Sequence, residues 1–417
     1  MTARRGVIAL QLSLLVLVAV NLRPAVVAVG PLLPEISDEY DLSGTAAGAL
    51  TTLPLLFFGS YGLAAAFMRR SPRSETLLVS SMALLVAALL LRLVDAPAAL
   101  YAGSLAAGIA ISIGNIAMPA VIKRDHPSSI ALVTSVYTVA ITASAALAAA
   151  LVIPVDQALA GGWRVPLALL AVPAAIAALA WLPRLLRTRD VPGARPAVGD
   201  GTRPPAATVW RSTLAWHVTF FMGVQSLLAY VVVGWLATIL QDRGMTAETA
   251  GYAFALTNLM QAVGSLSMPL LARHMRDQRP LAVITVVPAF VGFAGIAWAP
   301  LGSVWLWGTV LGLGQGVGFA MALALIGLRA HDTRVAVQLS GMAQGCGYVV
   351  AALGPLAVGA LHDATHGWNA PMLLVLAITA ALVIPGLAAG RNRTIQGPAA
   401  ERPPALHGVQ GDNRSNP

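Results

Sequence analysis

The sequence predicts an all-α integral membrane protein, with twelve transmembrane helices arranged as two parallel-repeat six-helix bundles. Three observations lead there. Of the 417 residues, 57% are hydrophobic and 10% charged, where an ordinary soluble domain carries about 25% charge. The basic residues cluster in alternate loops between the apolar runs. The second half of the chain also repeats landmarks of the first. This composition excludes a soluble enzyme, a disordered chain, a coiled coil and a collagen.

A helix crossing a hydrocarbon core of ~30 Å needs roughly 20 apolar residues. Twelve stretches qualify: 7–30, 44–68, 75–94, 98–122, 130–153, 165–183, 212–240, 249–272, 280–299, 303–328, 335–361 and 370–389. The first imitates a signal peptide, with Arg4 and Arg5 ahead of an apolar run. The run continues past Val20 without a small-residue cleavage site, so a retained helix is expected. Residues 42–68 and 96–122 hold no Asp, Glu, Lys or Arg, which marks spans two and four. Residues 280–328 are equally free of charge but too long for one helix. The Ala-Pro-Leu-Gly-Ser turn at 299–303 divides them into spans nine and ten. The stretch 184–211, rich in Arg, Pro and Gly, reads as a flexible linker at mid-chain. The domains expected are therefore 1–183, an N-terminal bundle; 184–211, a cytoplasmic linker; 212–390, a C-terminal bundle; and 391–417, a disordered cytoplasmic tail.

Of the 26 basic residues, 22 lie in alternate loops, and Arg23, Arg92, Arg164 and Arg243 lie elsewhere. By the positive-inside rule both termini are cytoplasmic and the number of spans is even. The net charge of +9 is thus a topology signal, and nucleic acid is not an expected partner. A single cysteine, Cys346, allows no disulfide framework and no thiolate metal site. Phosphate loop, dinucleotide glycine pattern, zinc His-Glu pair and nucleophile elbow are absent from the sequence. No enzyme activity, cofactor or metal is expected, and the chain has no ATPase of its own.

The repeat is read from two blocks. Gly162-Trp163-Arg164-Val165-Pro166 opens span six, and Gly367-Trp368-Asn369-Ala370-Pro371 opens span twelve, 205 residues on. Ala25 to Gly30 (AVVAVG) matches Ala229 to Gly234 (AYVVVG) at 204, a register that pairs Asn21 with Gln225. Two copies of six spans share one orientation, related by an axis along the membrane normal. Parallel repeats of this kind build the two bundles of the major facilitator fold, with solute held near the midplane between them.

Asn21-Leu22-Arg23-Pro24-Ala25, followed by Val29-Gly30-Pro31-Leu32-Leu33-Pro34-Glu35-Ile36, resembles the first-helix signature of the CynX/NimT family of major facilitator transporters. That family is named for cyanate and 2-nitroimidazole transport. Segments at 50–54, 223–228, 311–316 and 339–345 are similar to other family segments, and the resemblance runs over roughly 5–395. It implies a secondary transporter. The superfamily's Gly/Asp/Arg loop after span two is degenerate here, as Gly62…Met68-Arg69-Arg70, with no acidic residue among its basic ones.

Arg23 is the sharpest single feature. It lies 16 residues into span one, about 24 Å along it. An arginine at that depth costs roughly 2.5–3.5 kcal/mol to insert. No acidic residue stands deep in any span to pair with it, so it contacts either an anionic or electron-rich solute or backbone carbonyls and side-chain amides. Pro24 deprives the Val20 carbonyl of its partner and reads as a helix break or a simple kink; Pro31 is a second break or gating candidate. Asn21 and Gln225 stand at equivalent positions near the pseudo-axis, as cavity lining or as glue between helices. Asn115, Asn258, Gln261, Gln315, Gln344 and Tyr348 add polar side chains to spans four, eight, ten and eleven. Tyr230 and Trp235 on span seven are placed to stack on a planar solute. Thr134, Thr138 and Thr142 read as a packing face of span five.

The expected function is secondary transport of a small planar solute by alternating access. An anion such as cyanate is the leading candidate, export of a neutral nitroimidazole-like compound the alternative, and a channel a third class. The expected partners are the small-molecule substrate, the lipid bilayer and a coupling ion, for a monomer in a bacterial inner membrane.

Overall fold

The computed structural model describes residues 2–67, 73–126, 130–159, 161–187, 207–331 and 333–395. The degenerate loop at Met68–Arg70, the centre of the expected linker and most of the expected tail lie outside them.

Span one is three helical pieces, Thr2–Ala19, Pro24–Val27 and Val29–Tyr40. Spans two to five are the helices Gly44–Phe67, Ser74–Leu91, Pro97–Asp125 and Ile130–Ala158. Span six is Arg164–Leu169 with Ala171–Arg187, and a short helix, Ala207–Trp210, precedes span seven, Thr213–Asp242. Spans eight to eleven are Ala247–Ala272, Arg279–Trp298, Val304–Leu328 and Thr333–Thr365. Span twelve is Asn369–Ala381 with Val383–Ala389. Eleven segments among the described residues are long and apolar enough to cross a membrane. Gly44–Phe67, 24 residues without a charge, stands in the remaining place.

Three boundaries differ from the sequence expectation. Span one does not stop at residue 30: it continues to Tyr40, so Glu35 and Asp38 ride on its last helix. The chain turns at Ala28 and restarts at Val29, which puts Pro31 in a first turn, where a missing N–H forfeits no helical bond. The ends of the expected linker are helical, at Arg184–Arg187 and Ala207–Trp210. The tail begins ordered: the Ile395 amide donates to the Arg329 carbonyl at 2.7 Å, and Ile395 is buried.

The helices of each half pack on one another, and the two halves meet along three seams: spans one and seven, two and eleven, five and eight. Span seven is enclosed on nearly every side. Glycines set the closeness of packing within the second half, where Gly312 and Gly316 back onto the span-eight backbone at Thr257 and Gln261. The threonines of span five do not pack this way. Thr134 and Thr138 are exposed, and Thr138 and Thr142 hydrogen-bond carbonyls one turn back in their own helix.

The repeat recurs in the hydrogen bonds. On the arginine-poor face, Trp163 Nε1 donates to Glu39 at 2.5 Å, and Trp368 Nε1 donates to Asp242 at 2.8 Å. Arg164 ties the start of span six to Asp95, while Asn369 ties the start of span twelve to Trp298. On the arginine-rich face, Arg124 pairs with Glu75 at 2.7 Å, and Arg329 contacts Gln278. Each half therefore fastens its fourth helix to the start of its third by an arginine. Those two arginines stand 205 residues apart.

Candidate functional site

The break in span one is built locally. The Asn21 and Leu22 amides reach only to i−3, donating to Val18 and Ala19. That tightening frees the Leu17 carbonyl, and Asn21 Nδ2 satisfies it at 2.7 Å while also reaching the Pro173 carbonyl of span six at 3.3 Å. Pro24 then opens the next helical piece at its first position, where its ring costs nothing. Arg23, at φ −127° and ψ −37°, sits in the gap. From the far side, Arg92 is buried and donates to the Ala25 carbonyl at 2.9 Å and to Ser104 Oγ at 3.3 Å.

Arg23 is half-buried, and among the described residues its side chain makes no hydrogen bond and no ion pair. Its charge acts on three tyrosine hydroxyls: Tyr137 of span five, Tyr230 of span seven and Tyr348 of span eleven. Two of the three belong to the other half. Tyr137 is held by donating to Asn115 Oδ1 at 3.0 Å, and Tyr230 is buried with no side-chain hydrogen bond among the described residues. The result is one cation among phenols at the junction of the two halves.

Arg23, Tyr230, Tyr348 and, through Tyr137, Asn115 are linked by these interactions, and the other candidates have protein partners of their own. Asn21 is buried and repairs the helix break. Gln225 is buried and bonds Gln315, its Nε2 reaching the Gln315 carbonyl and Oε1 at 3.2 and 3.3 Å. That pair joins spans seven and ten inside one half. Asn258 Nδ2 bonds the Phe254 carbonyl in its own helix, and Gln344 Nε2 bonds Ser340 Oγ. Gln261 presents its backbone to the span-ten glycines. Trp235 donates to the Pro355 carbonyl at 2.9 Å and meets Trp368 edge-on. Pro31 offers its carbonyl to Gln241 of span seven at 3.4 Å, a contact across the seam. Tyr137 escaped the sequence reading because an aromatic among the threonines of span five has no periodic signal. No group of residues suited to a metal occurs among the described residues.

Two six-helix sets in parallel repeat are the architecture of a secondary transporter for small solutes, not of an enzyme. The chain belongs to the Major Facilitator Superfamily, whose model matches residues 15–351, and within it to the CynX/NimT family. It is 36% identical to the 2-nitroimidazole transporter of Escherichia coli over 92% of this chain and 95% of that one. It is 31% identical to the cyanate transport protein CynX of the same organism, over 85% and 90%. A crystal structure of the nucleoside transporter NupG superposes with a TM-score of 0.74 at 14% identity, covering 92% of this chain and 99% of that one, and shares the fold alone.

Proposed function

We propose that the transported solute is a small planar anion such as cyanate, held by Arg23 and the hydroxyls of Tyr137, Tyr230 and Tyr348. The observation that carries this reading is the Arg23 guanidinium, which has no protein anion to neutralise it (among the described residues) and lies within electrostatic reach of three tyrosines. A membrane-embedded cation finds a partner or a polar cavity, and a monoanion is the complement missing here. Charge-assisted bonds to guanidinium are about twice as strong as neutral ones. The two halves rock about this site, exposing it to each side in turn, with both termini in the cytoplasm of a bacterial inner membrane.

A second reading is favoured by the three phenol rings themselves. A neutral nitroaromatic stacked on them needs no charge. A thermal-shift panel on the detergent-purified protein separates the two. Cyanate, nitrate and formate are compared with 2-nitroimidazole, on wild type and Arg23→Ala. A ligand at 100 times its Kd stabilises by about 2.7 kcal/mol. The proposal expects an anion shift that vanishes in the variant. Stabilisation by 2-nitroimidazole that persists in Arg23→Ala would overturn it and leave Arg23 a structural residue.

A further inference from the structure

The seam between spans two and eleven has an unusual fastening. Span two begins at Gly44, and its first turn must satisfy amides that have no helical acceptor. Ser43 accepts from the Ala46 amide at 3.2 Å, as an N-cap does. The two amides ahead of it, Gly44 and Thr45, donate instead to the carboxylate of Asp363, at 2.6 and 2.9 Å, and the Thr45 hydroxyl adds a third bond at 3.0 Å. Asp363 stands at the end of span eleven, in the other half of the molecule. One helix start is therefore capped jointly by its own serine and by a residue 318 positions away.

The surfaces around this contact are backbone against backbone. A side chain at Gly48 would meet the Pro355 carbonyl at 2.6 Å, and one at Gly359 would run into the Gly44 carbonyl. Between spans one and seven, a side chain at Gly30 would run into the Val233 carbonyl. Such faces touch closely through their backbones. Thr52 Oγ1 to the Ala352 carbonyl and Gln241 to the Pro31 carbonyl are neutral bonds across the same junction; Asp363 brings an ionised acceptor and a helix dipole together.

We propose that Asp363 is a releasable latch that holds the arginine-poor mouth shut by capping span two from the opposite half. Release is inexpensive by construction. Thr45 is exposed and Gly44 half-buried, so water takes over both amides when the halves part. Ser43 keeps its own cap, so span two does not fray. The latch acts between two closed surfaces and is independent of which solute sits at Arg23.

The test places spin labels on Gln157→Cys and Ala364→Cys, exposed positions of the two halves on that face, in a Cys346→Ala background. Distances are read by pulsed electron resonance, without solute. Losing a cap corresponds to about 5- to 30-fold in a two-state ratio. Asp363→Asn and Asp363→Ala are expected to move the distribution toward longer distances by a population shift of that order. Gly44→Ala keeps the carboxylate but puts a methyl 2.6 Å from Asp363 Oδ1, and it is expected to open the mouth in the same sense. A distribution unchanged from the parent in folded Asp363→Asn and Gly44→Ala proteins overturns the latch. Because no solute is present, failure here leaves the Arg23 reading standing, and failure of the Arg23 reading leaves the latch untouched.

Discussion

Span one and span seven open the two halves with nearly the same words, AVVAVG and AYVVVG, and then diverge. Span seven is an unbroken helix of 30 residues. Span one is cut between Ala19 and Pro24, and again at Ala28. At the repeat's offset of 204, the partner of Arg23 is Leu227, a buried leucine whose side chain lies against the site of Gly354. The corners of the two halves stay alike: a tryptophan on a carboxylate at one face, an arginine on the third helix at the other. The centre does not. Duplication supplies a scaffold twice, and the proposed site lies where one copy abandons its helix. Arg23, with no ion pair among the described residues, sits in that break, and Asn21 and Arg92 satisfy the carbonyls of Leu17 and Ala25 beside it.

The sharpest way to break this comparison is to remove both central residues in turn. Arg23→Ala is expected to lower uptake into proteoliposomes by about 10- to 100-fold or more, the range of a lost contact to a charged group, with the melting temperature nearly unchanged. Leu227→Ala should do the reverse, costing about 2 kcal/mol or more of packing while transport persists. Equal transport losses in the two variants would mean that the centre is still symmetric in function.

The next effect lies at the corner held by Arg329. This arginine is buried and satisfies the carbonyls of Ala389 and Gly390 and the Gln278 side chain. Each buried group left unpaired costs about 1–3 kcal/mol, so Arg329→Ala should melt well below wild type. Solute binding by the remaining folded protein should be intact, as a binding isotherm in detergent would check.

At the arginine-poor corners the halves share the tryptophan but differ in the residue that follows it. Arg164 meets Glu39, Tyr40 and Asp95 and lies over the Trp163 ring at 4.4 Å. Asn369 makes one bond to Trp298. Arg164→Ala should cost roughly 1 kcal/mol, as partly exposed networks do, and Asn369→Ala under about 0.5 kcal/mol. Thermal melts in low and high salt separate them, since only the first should move with ionic strength.

The scaffold was legible in the sequence because lipid writes it in long runs: the spans, the loop charges and the Gly-Trp-x-x-Pro blocks all follow from the cost of burying polar groups in hydrocarbon. Arg23 was legible for the same reason, as a charge out of place. Its surroundings were not. Amide side chains in a membrane helix serve either a cavity or a neighbouring backbone, and pattern alone does not choose: Asn21, Asn258 and the Gln225–Gln315 pair went to backbones and to each other. Tyr137, Asp363 and the Arg329 corner depend on which helices meet, a fact set by tertiary packing at separations of a hundred residues and more.

The finest distinction between the halves concerns protons at the arginine-rich corners. Burial alone would raise the Asp125 carboxyl, but hydrogen bonds from Arg124 and Arg184 overcome it and hold the group below the usual carboxylate range. A carboxylate depressed in the folded state contributes its full stability above its unfolded value, near about 3.9, and loses it as pH falls through the folded value. Asp125→Asn should therefore melt below wild type from neutral pH down to about pH 5, and the gap should close as the medium is taken below about pH 4. The hydrogen bonds of Arg329 go to backbone carbonyls and an amide, which have no proton to gain, and Asp277 acts on it only through space, so most of the deficit of Arg329→Ala should persist through the same acid range. A gap that closes equally at both corners would show that the carboxylate-bonded corner and the carbonyl-bonded one are held by the same force, and this contrast between the halves would fall.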